Sequence, residues 1–157
     1  MLSVEIDMEK VLRHVEKVLP VQIEKAVNRS LKEATELVKT TAQQEHEYTS
    51  RTGKLEREGI ATEITKNEGK VMLDKKVPYG IYQHEGTGVY GRSGRAYNVR
   101  PKAKYALRWV AKNGFAYSRG HQIRGIKPDP FLYNALNKNR RTIIRIFQRH
   151  VSEAARG

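Results

Sequence analysis

The residues best suited to chemistry lie in one segment near the middle of the chain. Residues 77–88 read VPYGIYQHEGTG and bring together two tyrosines, a histidine beside a glutamate, and three glycines. A His–Glu pair can serve metal binding or proton transfer. Residues 86–91 also match the pattern G-x-G-x-x-G, which can cradle the phosphates of a dinucleotide. Each of these chemistries requires further partners from the surrounding sequence.

Those partners are missing. The pair His84-Glu85 has no second histidine four residues on, as a zinc-protease helix requires. The dinucleotide pattern needs a following helix and an acid about 20 residues later, whereas polar residues 92–95 follow and no acid lies between Glu85 and Asp129. The chain has no cysteine, which excludes thiolate metal sites and thiol nucleophiles. We therefore expect no cofactor, no metal and no catalytic residues, and predict that the protein is not an enzyme.

A second candidate is a stretch in which basic and aromatic residues alternate. It interleaves Tyr97, Tyr105 and Trp109 with the basic residues Arg92, Arg95, Arg100, Lys102, Lys104 and Arg108. Phosphate binding combined with base stacking needs this mixture. The alternative is a solvated basic face over an aromatic core, which we favour for Trp109 and Phe115. A third reading is a basic lumen past which nucleic acid moves without sequence-specific contacts.

Charge is distributed unevenly along the chain. The formal net charge is +13, yet residues 1–58 carry 10 Lys/Arg against 11 Asp/Glu, and residues 59–157 carry 20 against 6. A basic half of this kind attracts nucleic acid or an acidic protein surface. No apolar run approaches the roughly 20 residues that span a bilayer, and the N-terminus MLSVEIDMEK does not resemble a signal peptide. We expect a soluble protein made in the cytoplasm.

Helical patterns near the N-terminus predict the first elements that position these segments. Apolar residues recur at helical spacing in residues 8–19 before Pro20 interrupts them, which predicts a helical extension over 1–19 and a break near Pro20. The helix then restarts with Pro20 in its first turn. A second apolar stripe from Ile23 to Ala42 predicts a long helix reaching about His46. This helix is either a brace across a sheet or part of a subunit interface, and we favour the brace.

Strand patterns occupy the middle of the chain, at residues 60–64, 71–77, 98–101, 105–111 and 115–118. Asn67-Glu68-Gly69 forms the turn between the first two, and Pro78 is expected to end the second because it has no N–H for the ladder. Residues 106–111, ALRWVA, also fit a helical turn by periodicity alone. Residues 79–82 fit a short helical turn, and the glycine-rich basic residues 89–97 predict an exposed loop.

The last element is a helix from Phe131 to about Ser152, for which Asp129 supplies an N-cap and Pro130 a first-turn proline. The predicted fold class is α+β. A long N-terminal helix, broken near Pro20, and the C-terminal helix pack on an antiparallel β-sheet. At 157 residues the chain is expected to form a single domain over residues 1–157.

Three segments in this order resemble a known family. They are Arg51-Thr52-Gly53-Lys54-Leu55, Tyr79-Gly80-Ile81-Tyr82-Gln83-His84-Glu85-Gly86-Thr87, and Ile126-Lys127-Pro128-Asp129-Pro130-Phe131-Leu132. The set is similar to minor structural proteins of tailed bacteriophages and prophages, called tail-component, tail-completion or head–tail joining proteins. In that family an RTG-x-L segment, a Y-x-x-Y-x-E-x-GT segment and a P-x-PF helix start recur in this order. The resemblance spans about residues 20–150, and His84 stands where the family more often has an acidic or apolar residue.

The resemblance implies a non-enzymatic virion protein, made in the host bacterial cytoplasm and located in the neck or tail. It would be a ring-forming tail-terminator or head–tail joining subunit, a hexamer by analogy with the family. Its implied partners are copies of itself, neighbouring connector and tail-tube proteins, and genomic double-stranded DNA touched without specificity in the lumen. No membrane partner is implied. The alternative hypothesis is a free nucleic-acid-binding protein that uses the basic patch 92–108.

Function in such an assembly depends on interface residues, for which we name three groups. The expected structural anchors are Tyr79, Tyr82, Glu85, Gly86, Thr87, Pro130 and Phe131. The expected contact loop contains Val89, Tyr90, Arg92, Arg95 and Tyr97. The candidates to face DNA are Arg100, Lys102, Lys104 and Arg108.

Overall fold

The structure is a computed structural model that describes residues 19–66 and 68–156. The expected helical extension lies outside the described residues, apart from Leu19, and so does the expected break before Pro20. Pro20 itself lies in the first turn of a helix, as predicted, where the missing N–H costs no hydrogen bond.

Two long helices pack side by side in opposite directions. They are α1 (Leu19–Gln44) and α4 (Phe131–Arg156). Every fourth residue of α1 from Ala26 to Ala42 is buried, and the row Ala26, Ser30, Ala34, Val38 and Ala42 is made of small side chains. Small side chains in one row let two helices approach closely. The predicted long N-terminal and C-terminal helices are thus confirmed, and much of the α1 stripe is covered by α4.

A β-hairpin covers another part of α1. It consists of β1 (Ile60–Ile64) and β2 (Gly69–Leu73), paired antiparallel. A Cβ on Gly69 would lie 2.6 Å from the Thr35 methyl carbon, so the absence of a side chain allows this close contact.

The predicted end of the second strand was wrong, because the chain turns before Val77. The Asp74 carboxylate accepts a hydrogen bond from the Lys76 N–H at 2.8 Å, and the Asp74 carbonyl accepts one from the Val77 N–H at 3.1 Å. This side-chain turn stops the ladder four residues earlier than Val77. Val77 is then buried in the core instead of lying in a strand.

Two short helices complete the part of the molecule that surrounds the core. They are α2 (Lys54–Glu58) and α3 (Gly80–Glu85), and α3 confirms the helical turn expected after Pro78. The buried apolar cluster contains Val38, Ala42, Leu55, Ile60, Val77, Phe131 and Ala135. It therefore joins both long helices to the hairpin and to the two short ones.

Residues 86–127 leave this body as an arm, the name used below for this range. Its ladders pair β3 (Tyr97–Val99) with β6 (His121–Ile123), and β4 (Leu107–Ala111) with β5 (Gly114–Ser118). Residues 107–111 are therefore strand and not helix. The α+β class is confirmed, but the described strands form three separate two-stranded ladders instead of one sheet.

The arm contradicts the expectation that Trp109 and Phe115 belong to the core. Phe115 is largely exposed, and Trp109 is only partly covered by the His121 ring, at 5.0 Å between centroids. The physical reason is that β4 and β5 pair with each other, and none of the helices within residues 19–156 that the structure describes packs across them.

Candidate functional site

The three segments that carry the family resemblance meet at one junction in the fold. Leu55 of the first and Phe131 of the third belong to the same buried cluster. A Cβ on Gly80 of the second would lie 2.8 Å from a Leu55 methyl carbon. The Asp129 N–H donates a hydrogen bond to the Gln83 carbonyl at 2.9 Å. Segments separated by up to about 80 residues thus form one contiguous structure.

Phe131 lies at the centre of this junction and is fully buried. The rings of Tyr48 and His84 both meet its ring edge-on, each with 5.3 Å between centroids. Edge-to-face aromatic pairs of this kind add to the free energy gained by burial. Of the expected anchors, Phe131 is the one that packs most completely.

Asp129 has a different role from the predicted N-cap. Its carboxylate accepts hydrogen bonds from the backbone N–H groups of Glu47 at 2.5 Å and Tyr48 at 3.0 Å. The expected cap was therefore wrong, because the buried carboxylate points to the chain leaving α1. At the start of α4, the Asp129 backbone carbonyl accepts a hydrogen bond from the Phe131 N–H at 2.8 Å instead.

We expect Asp129→Ala to lower the free energy of unfolding by about 3 kcal/mol, because two backbone N–H groups lose a charged acceptor. Urea denaturation followed by circular dichroism measures the change. Asp74→Ala is a matched control, since the Asp74 carboxylate accepts a backbone N–H in an exposed turn, and it should cost no more than about 1 kcal/mol. Equal losses for the two variants would contradict the assigned role of Asp129.

A second polar cluster lies beside this carboxylate. The His46 ring stacks on Tyr48 with 3.8 Å between centroids, and its Nε2 lies 3.3 Å from a Glu56 carboxylate oxygen. Burial by itself would raise the pKa of Glu56, but the polar groups around it, among them the Ser50 side chain and His46, hold that pKa below its usual value. Burial, aided by the Glu56 charge, raises the pKa of the Tyr48 phenol well above its ordinary range.

An open cavity of about 700 Å³ adjoins these groups, and its walls include Ser50, Thr52 and Tyr79. Its acids are Glu47, Glu56 and Asp129. Glu56 lies beside His46, and Asp129 accepts two backbone hydrogen bonds. The two hydrogen bonds to Asp129 therefore fix the connection between α1 and α2.

His84 is nearly buried on α3, between the Phe131 and Tyr133 rings. Burial lowers the pKa of the His84 imidazole, although the negative charges of Glu85 and Asp129 oppose this shift. The folded chain therefore binds a proton at His84 less readily than the unfolded chain does.

This difference predicts a loss of stability in acid. Above the ordinary histidine pKa of 6.5, His84 is neutral in both states. As the pH falls below that value the unfolded chain gains a proton first, so the free energy of unfolding decreases. We expect His84→Leu to remove this part of the decrease between pH 7.5 and 5.5, measured by urea denaturation. The other histidines are common to both proteins, so identical pH dependence would contradict the prediction.

The arm leaves the body through closely packed backbone. The Thr87 N–H donates to the Ile126 carbonyl at 2.9 Å, and the Ile126 N–H donates to the Thr87 hydroxyl at 3.0 Å. A Cβ on Gly125 would lie 2.0 Å from the Thr87 carbonyl oxygen. Gly86 has a φ of +76°, which favours glycine. Gly86 and Thr87 thus hold the base of the arm in a defined geometry.

One face of the β4–β5 hairpin is apolar and uncovered. Val110 lies opposite Phe115, and Arg108 lies opposite Tyr117, so the four side chains share a face. Val110, Phe115 and Tyr117 are 76%, 56% and 65% exposed. The Arg108 guanidinium lies over the Phe115 ring, 4.4 Å from its centroid. We call Val110, Phe115 and Tyr117 the arm face.

The other expected site residues are divided between the surface and the arm base. Those on the surface are Tyr79, Tyr82, Glu85, Pro130, Arg92, Arg95, Tyr97, Arg100, Lys102, Lys104 and Arg108. Tyr79 and Tyr82 therefore do not pack into the core, and anchoring falls to Gly86, Thr87 and Phe131. Val89 and Tyr90 are half-buried, because the Val89 N–H donates to the Arg124 carbonyl at 2.7 Å. The exposed part of the expected loop starts at Arg92.

The sequence did not lead us to name Val110 and Tyr117 as exposed contact residues, and it led us to place Phe115 in the core. A signal was present in the alternation of residues 107–118 around the turn Asn113-Gly114, which places these side chains on one face. That signal does not say whether another element covers the face.

Within residues 19–66 and 68–156, the helices lack a stretch both long and apolar enough to cross a bilayer. In the same part of the chain, no three His, Asp or Glu side chains come close enough together to hold a metal ion. No family model matches the sequence, and comparisons with the curated proteins and with the solved structures found no match. A function for this chain therefore has to be argued from its own residues.

Proposed function

We propose that the protein is a non-enzymatic structural subunit of a tailed phage or prophage particle. It acts as a ring-forming tail-completion, tail-terminator or head–tail joining subunit. The observation that carries the proposal is the arm, which leaves the body with its apolar arm face uncovered. A two-stranded ladder with exposed aromatic side chains is marginal alone and gains stability when another surface covers it. A subunit that completes its packing in a ring has this property.

The junction at the base of the arm supports the same proposal. The three motifs that resemble the phage family are distant in sequence but adjacent around Leu55, Gln83 and Phe131. Residues that serve one structural purpose are expected to be in contact. Their shared purpose here is to fix where the arm leaves the body.

Charge supports a position around DNA. Residues 86–127 contain 10 Lys/Arg and no Asp/Glu. Arg100, Lys102, Lys104 and Arg108 are all exposed on this arm. A positive surface without base-reading contacts suits double-stranded DNA that passes through a lumen. The proposed partners are copies of the chain, the adjoining connector and tail-tube proteins, and DNA in the ring.

Locating the protein in particles tests this proposal. Tailed particles produced by the phage or lysogen that encodes the chain are purified, analysed by mass spectrometry and labelled with antibody for electron microscopy. We expect the protein to co-purify with the particles and the label to lie at the head–tail junction or the head-proximal end of the tail. Absence of the protein from intact, infectious particles would contradict the proposal.

The arm's charge also favours a second candidate, a free nucleic-acid-binding protein. Such a protein would bind a short DNA duplex tightly as a monomer, with affinity that falls steeply as salt rises. Our proposal predicts that the monomer binds duplex only feebly at about 0.15 M salt, the ionic strength at which charge is screened within about 8 Å. Fluorescence anisotropy over a salt series measures both. Tight binding by monomers at that salt would favour the second candidate.

A further inference from the structure

An apolar groove of about 540 Å³ lies open between α1, β2, α3 and α4. Its lining includes Leu31, Val71, Ile81, Leu136, Ile143 and Phe147. Ile81 and Leu136 remain substantially exposed in the isolated chain. The volume falls in the range of roughly 300–1,000 Å³ typical of sites that bury a ligand. An open apolar groove of this size indicates that something covers it.

A polar atom without a partner lies beneath the wall of the groove. The Nε2 atom of His84 is buried, and the described residues provide it with no hydrogen bond. A buried polar atom without a partner costs free energy, and such atoms are rare in native structures. The fold itself shields this nitrogen, so a surface that docks in the groove covers the apolar side chains around it and is expected to be apolar.

The arm face meets this requirement. Val110 and Phe115 are apolar, and the Tyr117 ring ends in a hydroxyl that can donate a hydrogen bond. This face does not fold back onto the groove of its own chain, because all three side chains stay largely exposed. Aromatic side chains with a polar end are favoured at interfaces, where the ring is buried and the hydroxyl stays at the wet edge.

Charge on the two surfaces is complementary. Arg108 shares a face with Phe115 and Tyr117, and the rest of the arm contributes no acid. Glu85 lines the groove beside His84. Opposite charges at the edge of a contact steer two surfaces together and discourage wrong partners.

We propose that the arm face of one copy docks in the groove of a second copy. The two surfaces differ, so copies join head to tail and close into a ring when the rotation between neighbours permits. This inference rests on the proposed ring-forming function and specifies the contact that builds the ring.

The small area buried by the arm face determines which experiment can detect its docking in the groove. Two aromatic side chains and a valine bury on the order of 500 Å², since each aromatic contributes roughly 150–250 Å². Stable interfaces bury roughly 1,200–2,000 Å². The arm contact alone is thus expected to be weak and short-lived between free subunits, and a covalent trap detects it better than equilibrium chromatography does.

The native chain has no cysteine, so two single substitutions give an unambiguous trap. Full-length Tyr117→Cys and Leu136→Cys proteins are mixed and oxidised, and disulfide-linked dimers are resolved by mass spectrometry. We expect a dimer that contains one copy of each variant. Adding Val110→Ser and Phe115→Ser to the arm variant should abolish that dimer, although the body stays folded. Lys75→Cys, exposed beyond β2, replaces Leu136→Cys in the matched control and should give little dimer.

Three results would overturn the inference. The first is that rings assemble but no mixed dimer forms, which leaves the proposed function standing. The second is an equal yield of dimer from the Lys75→Cys control. The third is an internal disulfide in a monomer carrying Leu12→Cys and Leu136→Cys, which would mean that the chain's own residues 1–18 fill the groove. A mixed dimer from a protein that is absent from phage particles would instead contradict the proposed function alone.

Discussion

Replacing Phe131 with alanine is expected to lower the free energy of unfolding by about 3–5 kcal/mol. The reason is its position. Its side chain is fully buried, touches the rings of Tyr48 and His84, and joins the start of α4 to the cluster around Leu55 and Val77. Alanine would leave a cavity at the point where all three motif segments meet.

Urea denaturation monitored by circular dichroism measures this change. Phe115→Ala is the matched control, because it makes the same chemical change on the exposed arm face and should alter stability by no more than about 0.5 kcal/mol. Similar losses for both variants would mean that Phe115 is covered in the isolated chain or that Phe131 is not the centre of the junction. A fall in stability confined to Phe131→Ala supports the separation of a packed body from an uncovered arm.

Removing the tip of the arm is expected to leave the stability of the body nearly unchanged and to abolish assembly. The variant deletes residues 103–118 and joins Lys102 to Arg119 through two glycines, so the pairing of β3 with β6 is kept. The stability of the body should change by less than about 1 kcal/mol, since the deleted strands contact mainly each other. Assembly into rings or particles should be lost completely, as measured by sedimentation velocity and by complementation of a phage that lacks the gene.

A charge control separates the shape of the arm from its charge. The deletion removes three basic residues, Lys104, Arg108 and Lys112. A full-length variant in which these three are replaced by glutamine keeps the arm face and loses the same charge. We expect it to assemble, although with weaker contact to DNA. Normal particles from the deletion variant would contradict a role of the arm in assembly.

The helices of this fold could be predicted from the sequence because their patterns are long. The apolar stripe of α1 and that of α4 repeat over many turns, and each stripe faces a partner in the structure. The β1–β2 hairpin and the short helix after Pro78 were also predicted. The patterns in these cases depend on neighbours in the sequence, which is why a single sequence reveals them.

The errors arose where distant parts of the chain decide the outcome. Asp129 precedes a proline and a helix, which is the sequence of an N-cap, yet its carboxylate binds amides more than 80 residues away in sequence. Trp109 and Phe115 have the character of core residues, but none of the four described helices packs on their ladder. Alternation of apolar residues in a strand predicts an apolar face and leaves open what covers it.

The candidate site was predicted only in part, because some of its features depend on contacts between distant parts of the chain. The segment at residues 79–87 was expected to be a turn that begins the basic loop, and Gly86 and Thr87 do form the base of the arm. The uncovered arm face and the groove around His84 depend on which elements are absent from a surface. That information appears only when the fold is known.

Electron microscopy of the purified full-length protein, alone and mixed with tail tubes, tests the central claim most directly. We expect closed rings of uniform subunit number that bind one end of the tube, and no rings from the variant without the arm tip. Full-length protein that stays monomeric at high concentration, leaves tail tubes uncapped and is not altered by the deletion would contradict the assembly function.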